Sequence, residues 1–270
     1  MEDAPYLPAS DGLLARKSGL WAKRKHHYLR KYCGITTKSV RKIFRLVYLD
    51  VMAGPGLCKI KETGEEFPGS PLIALEHEFH EFIFIEDDPQ LAAALKQRVS
   101  KHPKASLVKV VPENWVEVLE SRRLRFSDGT LVVAFVDPTG ISQVPMKAML
   151  QLTQNPRIDL LVTIQHSLGI TWNVPQYIKS ENDQTALDAF LASRDWRKWK
   201  WKDASEFARM AIDAFSQRIK QEGFIGTKHV SVPEAQPLYR FTLFSRHPLA
   251  EKFWNEILRI DETGQRELHL

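Results

Sequence analysis

The sequence predicts an α/β fold, a doubly wound and mostly parallel sheet that ends in an antiparallel strand pair. Three observations predict it. Short runs rich in Val, Ile, Leu and Phe alternate with helix-like stretches, the pattern of parallel strands covered on both faces. Only Pro233 to Pro237 separate the last two runs, too few residues for a helical crossover, so these two pair antiparallel. A length of 270 residues suits one large α/β domain with an insertion, or two small domains.

Residues 1–44 read as a basic helical extension, helical from Leu13 to Tyr32 and again around Lys38–Phe44. The core, 45–166, holds apolar runs at Arg45–Val51, Glu81–Glu86, Ser106–Val111, Leu131–Asp137 and Ile158–His166, the five expected parallel strands. Crossover helices are expected over Pro71–Glu78, Pro89–Ser100, Glu113–Glu120 and Val144–Thr153. Residues 167–223 form a helical insertion. Its helix Ala204–Gln221 carries Phe207, Ala208, Ala211, Ile212, Ala214 and Phe215 at helical spacing, a core-packing stripe. Residues 224–270 complete the core with strands Lys228–Val232 and Leu238–Ser245 and a helix. No internal repeat or low-complexity tract interrupts this order.

Composition narrows the class. The chain is 43% hydrophobic and 26% charged, as in ordinary globular proteins. No apolar run approaches 18 residues and Met1 opens no secretory signal, so no membrane partner is expected. Cys33 and Cys58 are isolated, which fits a reducing cytoplasm and gives no cysteine-based zinc site, although a disulfide between them stays open. Of the 38 Lys and Arg, 11 fall between Arg16 and Arg45, where there is no Asp or Glu. The remainder of the chain then carries 27 basic against 33 acidic residues. Such a block is either a solvated helix face or a contact for polyanions, nucleic acid above all, through Lys23, Arg24, Lys25, Arg30 and Lys31.

The most informative stretch is Tyr48-Leu49-Asp50-Val51-Met52-Ala53-Gly54-Pro55-Gly56. An apolar strand meets an acid and then Gly-x-Gly, a turn that brings backbone close to a nucleotide-like ligand. A dinucleotide turn reads G-x-G-x-x-G and needs no carboxylate here. An acid beside the turn suits a cationic ligand, and S-adenosylmethionine carries an ammonium and a sulfonium. The second strand ends at Glu86-Asp87-Asp88-Pro89. Glu86 can accept from both ribose hydroxyls, while Asp88 caps the following helix with Pro89 in its first turn. The third strand ends at Glu113-Asn114, where an acceptor faces an adenine edge or simply caps a helix. The fourth ends at Asp137-Pro138-Thr139-Gly140, either an acceptor for an amino group losing its proton or an Asp-Pro turn. After Gly56 a long loop leads to Phe67-Pro68-Gly69-Ser70-Pro71, with Ser70 as N-cap and within reach of the cofactor's amino-acid end.

These residues in this order resemble the three-Cys-motif partner family. The resemblance rests on Asp50-x-x-Ala53-Gly54-x-Gly56, Pro68-Gly69-Ser70-Pro71, Glu86, Asp137-Pro138-x-Gly140 and the closing Phe244-Ser245-Arg246-His247-Pro248-Leu249-Ala250, and covers roughly residues 20–260. It implies a Rossmann-like class I methyltransferase fold with a seven-stranded sheet. The layout is also similar to ribosomal RNA adenine-N6 methyltransferases. The resemblance further implies S-adenosylmethionine as cofactor, Ser70, Glu86 and Glu113 as cofactor contacts, Asp137 with Pro138 as the catalytic motif, and a three-cysteine protein related to radical S-adenosylmethionine enzymes as partner. Met52 stands where the ribosomal RNA enzymes carry histidine. Thr139-Gly140 stands where amino-methylating enzymes carry Pro-Tyr, which removes a stacking surface for a flipped base.

Arg194-Asp195-Trp196-Arg197-Lys198-Trp199-Lys200-Trp201-Lys202 interleaves three tryptophans with five basic residues. Trp199 and Lys200 there suit single-stranded nucleic acid, or the rings pack in a core under lysine stems. His77-x-x-His80 offers two ligands and no third, so no metal is expected. The resulting expectation is S-adenosylmethionine-dependent methyl transfer to RNA or DNA. In it Asp50, Ala53, Gly54 and Gly56 hold the methionine part, Glu86 the ribose and Glu113 the adenine side. The alternatives are a non-catalytic partner of the same fold and, disfavoured by Asp50, a nicotinamide enzyme.

Overall fold

The structure, a computed structural model, describes residues 5–180, 184–226, 229–232 and 238–259. The chain divides into two compact units, Met1–Phe135 with Lys252–Leu270, and Val136–Glu251.

The first unit runs β1 (Tyr6–Pro8), β2 (Leu14–Ser18), α1 (Trp21–Val40), β3 (Arg45–Asp50), β4 (Leu57–Ile60), β5 (Glu66–Pro68), α2 (Ser70–Leu75), β6 (Glu81–Ile85), α3 (Pro89–Ser100), β7 (Val108–Val111), α4 (Trp115–Glu120) and β8 (Thr130–Val136). Its main strands lie in the order β8-β3-β6-β7, all parallel. The register sets Asp50 opposite Phe84 on β6 and Phe135 on β8, so the functional strand ends share one edge. Leu46 to Asp50 are buried without alternation, as expected of a central parallel strand. Tyr48, Phe79, Phe82 and Phe84 meet largely edge-to-face beneath it, with centroids 5.5–6.2 Å apart.

A second, four-stranded sheet, β1-β2-β4-β5, corrects two expectations. The segment predicted helical from Leu13 begins instead with β2, which buries Ala15 and pairs in parallel with β4 through Arg16 opposite Cys58. Helix α1 starts only after Gly19 and then runs unbroken to Val40, joining most of what reads as two helices. The chain from Gly56 to Pro68, read as a loop, contributes β4 and β5.

The second unit contains α5 (Met146–Leu152), β9 (Ile158–Gln165), α6 (Val174–Lys179), α7 (Ala186–Leu191), α8 (Ala204–Lys220), β10 (Ile225–Gly226), β11 (Val230–Val232), β12 (Tyr239–Ser245) and the start of α9 (Pro248–Leu258). β12 pairs antiparallel with β9 from Tyr239 opposite Gln165 to Phe244 opposite Leu160, and also with β10 and β11. Alongside the small sheet, the described residues thus hold eight strands where seven were expected, β10 being the addition. Lys228 and residues 233–237 lie outside the described residues. Helix α8 buries Phe207, Ala208, Ala211, Ile212 and Phe215, and Phe215 stacks on Phe190 at 4.4 Å. The predicted stripe packs this core. Ala214, read as part of it, falls outside the buried set.

Candidate functional site

In the first unit, the turn after β3 is pinned from three sides. Val51 N donates to Phe135 O (3.2 Å), Ala53 N to Ile85 O (2.9 Å) and Gly54 N to Glu86 Oε2 (2.6 Å). Gly54 and Gly56 adopt φ of +64° and +84°, which disfavours any side chain. They differ in surroundings. A Cβ on Gly54 meets nothing within 4 Å, whereas one on Gly56 comes 2.9 Å from Leu95 Cδ1. Backbone at Gly54 therefore faces open space, and backbone at Gly56 is packed.

Asp50 is fully buried. Its carboxylate accepts from Tyr48 Oη and from Met52 N, both at 3.4 Å, so it braces the turn from beneath and offers no exposed surface to a ligand. Glu86 is buried at the end of β6 and joins two backbones. Oε2 takes the Gly54 amide and Oε1 the Asp88 amide at 3.0 Å. Burial raises its pKa above the usual carboxylate range, with the Asp87 charge adding to the rise, although both amide bonds oppose it. Each oxygen retains a lone pair, so ribose hydroxyls fit as further donors. Asp88 caps α3 through Gln90 N and Leu91 N.

Ser70 is buried and opens α2 but does not cap it. The cap position is Gly69, whose amide donates to Gly56 O at 2.8 Å. A Cβ on Gly69 would lie 3.0 Å from that same oxygen, so Pro68-Gly69-Ser70-Pro71 closes directly on the turn. Glu113 is drawn elsewhere. It forms a bidentate ion pair with Arg123 at the surface, and Asn114 caps α4.

Arg98 is a further residue of this site, not among those its sequence motifs mark. Its guanidinium is buried on α3 and makes four bonds, Nε and Nη2 to Asp11 (2.8 and 2.9 Å) and Nη1 to Leu14 O (2.7 Å) and Pro55 O (2.6 Å). It fastens the β1–β2 hairpin to the Gly-x-Gly turn. The signal was available, because Leu91, Ala94, Leu95 and Arg98 fall at i, i+3, i+4 and i+7 on one buried stripe. Tyr6, on the same hairpin, has its pKa raised chiefly by burial, opposed by Arg16 and reinforced by Glu86, Asp88 and Asp87. The hairpin thus brings a phenol to the acids at the end of β6.

The motif Asp137-Pro138-Thr139-Gly140 opens the second unit, with Asp137 and Pro138 buried. Gln165 Nε2 donates to Pro138 O (2.7 Å), and Gln143 Oε1 accepts from Thr139 N (2.6 Å) and Thr139 Oγ1 (2.8 Å). These bonds fix the loop without an aromatic ring.

The basic block is less bare than its sequence suggests. Lys23 pairs with Glu65 at 2.7 Å and Arg30 with Glu76 at 2.6 Å, acids brought in from elsewhere in the fold. Lys25 is buried, so the fold does not present it to a polyanion. Lys31 is exposed, and Arg24 is half-buried. Trp196, Trp199 and Trp201 surround Phe207 with centroids 5.5–5.8 Å away, while Lys198, Lys200 and Lys202 remain exposed. Both cysteines are buried thiols. His80 Nδ1 accepts from Leu46 N, and the described residues hold no group of three or more His, Cys, Asp or Glu suited to a metal. No helix among the described residues is long and apolar enough to cross a membrane.

No family model matches the chain, and no curated protein matches it in sequence. Among solved structures the chain is similar to the following, and the first shares its fold. The protein LPL1258 from Legionella pneumophila str. Philadelphia 1, described with the family model DUF519, is 12% identical over 92% of this chain and 95% of its own, with a TM-score of 0.57. The N-methyltransferase NodS from Bradyrhizobium japonicum WM9 is 12% identical over 83% of this chain and 96% of its own, with a TM-score of 0.43. Cofactor-bound Rv0187 from MTB is 13% identical over 83% and 80%, with a TM-score of 0.46. The fold is α/β, as in LPL1258, with a strand count slightly different from the expected seven.

Proposed function

We propose that the protein is an S-adenosylmethionine-dependent methyltransferase acting on a nucleic-acid base. The observation that carries the reading is the pairing of Glu86 with Gly54. A buried strand-end carboxylate holds the amide of a left-handed glycine whose missing side chain would face open space. Glu86 fits the ribose hydroxyls, and Gly54, Ala53 and Gly56 line the approach of the methionine part. Asp50 serves as a positioning residue, its buried carboxyl group bracing the turn through Tyr48 Oη and Met52 N. Ser70 lies against this turn through Gly69. The Glu113–Arg123 pair favours a surface role for Glu113 over an adenine contact.

When bound, the cofactor supplies a methyl group on a sulfonium, already a strong donor. What the chain adds is alignment. The Asp137 carboxylate would accept a hydrogen bond from the substrate's amino group, hold that group in place and take up its proton. Pro138, held through its carbonyl by Gln165, restricts the backbone that carries that carboxylate. Lys31 with Arg24, and the exposed lysines around Trp199 and Lys200, supply phosphate contacts.

A specific observation favours a second reading, a non-catalytic partner of the three-cysteine protein that the motif resemblance implies. Leu20 and Trp21 expose 64% and 49% of their surface side by side at the start of α1, an apolar pair suited to a protein partner. Methyl transfer to RNA and to DNA, followed by mass spectrometry with the intact chain and with Asp137→Ala, separates the two. Transfer that Asp137→Ala abolishes supports the enzyme. Cofactor binding without transfer to either polymer supports the partner.

A further inference from the structure

Within the second unit, one face of the β9–β12 pair carries polar groups that none of the roles above uses. The antiparallel register sets Arg240 opposite Ile164 and Thr242 opposite Val162, so Arg240 and Thr242 point to the same side. His166 N donates to Leu238 O at 3.0 Å, which continues the pairing and makes buried His166 a diagonal neighbour of Arg240. Thr242 Oγ1 shares a hydrogen bond with His229 Nδ1. Helix α8 meets this face with Arg209, Asp213, Ser216 and Lys220, spaced i, i+4, i+7 and i+11 along one flank. Electrostatics agree with that placement. Burial lowers the pKa of Arg240, with Asp213 opposing and Arg209 reinforcing the fall, and burial with Arg240 and Arg209 lowers that of His166.

Two donors on these facing elements lack an acceptor. Arg240 Nε is buried and makes no hydrogen bond, and neither does the buried Ser216 Oγ. A buried guanidinium N–H without an acceptor is costly, and a bound anion removes that cost. Arg209 stands beside it, exposed, with Nη2 3.8 Å from Glu206 Oε1, an i,i+3 pair loose enough for a stronger anion to displace. An exposed ring adjoins the cations. Thr171 Oγ1 lies 3.3 Å from His166 Nδ1 and donates to His166 O at 3.1 Å. Trp172, the next residue, exposes 63% of its surface, and its turn Thr171–Asn173 packs on α8.

We infer that Arg240 and Arg209 grip a phosphate of a single-stranded nucleic acid and that Trp172 stacks on a neighbouring base. A guanidinium fork matches phosphate oxygens in geometry and charge. Cations for the backbone beside an exposed indole suit a single strand, whose bases are free to leave one another for a ring. The inference rests on the nucleic-acid reading for what carries the phosphate, and places a substrate contact away from the basic block of α1.

The test is titration of the full chain with a labelled single-stranded RNA of about 12 nucleotides, the DNA of the same sequence and its duplex, over a range of salt. One single strand should bind more tightly than the duplex. Arg209→Ala and Arg240→Met should each weaken binding about tenfold and reduce the slope of log affinity against log salt by about 0.7. Trp172→Ala should weaken it about fivefold with the slope unchanged. Arg218→Ala, which removes the partner of Glu222 elsewhere on α8, should alter neither. Arg240→Met removes an unpaired buried donor, so the unfolding temperature should not fall. A lower unfolding temperature with unchanged affinity would assign Arg240 to the fold and overturn the site. Strand binding indifferent to both arginines would overturn the site and keep the nucleic-acid reading. No strand binding by protein that binds S-adenosylhomocysteine would overturn both. Arginine-dependent strand binding without S-adenosylhomocysteine binding would uphold the site and overturn the cofactor reading.

Discussion

Gly54 donates its amide hydrogen to Glu86 Oε2 at 2.6 Å while Asp88 donates to Oε1 of the same carboxylate at 3.0 Å. One side chain thereby ties the turn after β3 to the turn after β6, and both turns belong to the candidate cofactor site. Glu86→Gln replaces one acceptor oxygen by an amide donor facing a backbone N–H. Affinity for S-adenosylhomocysteine should fall about tenfold to a hundredfold, with a stability loss of about 1–3 kcal/mol. Calorimetry and urea unfolding measure the two.

Acidity bears on the same residue in two directions. A carboxylate whose pKa is raised in the folded state contributes stability present below its unfolded value and lost as pH rises through the folded value. Ligand binding needs the ionised form. Cofactor affinity should therefore drop as pH falls through the raised pKa, at a higher pH than an ordinary glutamate gives, while this residue's own contribution to stability changes the opposite way. Glu86→Gln should remove the pH dependence of affinity. If wild type and variant keep the same profile, Glu86 is not the group responsible.

Arg98 holds Asp11, Leu14 O and Pro55 O together. Arg98→Ala strands two carbonyls and a carboxylate, which should cost about 2–4 kcal/mol and free the hairpin from the turn. Hydrogen exchange should rise at residues 53–57 and 6–18 together. Protection lost in one segment alone would contradict the staple.

The two glycines of the turn should separate. Gly54→Ala strains φ but meets no neighbour, so stability should fall by only about 1 kcal/mol while S-adenosylhomocysteine binding is lost. Gly56→Ala adds a clash with Leu95 and should be the less stable variant by thermal unfolding. Equal effects on both properties would refute the distinction.

Most of this frame was legible in the residues. The apolar runs of β3, β6 and β8 and the Asp88-Pro89 helix start follow from local rules, and Asp88 does cap α3. The small sheet was not legible, because β2 and β4 are short, β2 lies within the basic block, and the two pair across a long stretch of sequence. Charge pairing was hidden for a similar reason. Between Arg16 and Arg45 there is no acid, yet Glu65 and Glu76 reach Lys23 and Arg30 through the fold. The tryptophans near Lys200 looked the same whether they stacked bases or packed, and Phe207, on a later helix, is what they surround.

His229 gives a test of the second unit by itself. Burial and the neighbouring Arg240 charge hold its pKa down at about 4, against 6.5 ordinarily, with Asp213 opposing and Lys220 adding to the fall. A depressed histidine contributes stability in full above its unfolded pKa and loses it as pH falls toward the folded value. Between pH 6.5 and 4 the protein should lose about 2–3 kcal/mol from this group. Urea unfolding of His229→Gln should show a flatter profile over that window.

A Gly54–Glu86 site that takes S-adenosylmethionine also takes S-adenosylhomocysteine, which keeps the same ribose and adenine. Calorimetry of the intact chain with S-adenosylhomocysteine, and in parallel with NAD, tests it most directly. Saturable binding of S-adenosylhomocysteine at one site per chain is expected, weakened about tenfold to a hundredfold in Glu86→Gln, with no binding of NAD. Binding of NAD with none of S-adenosylhomocysteine would contradict it.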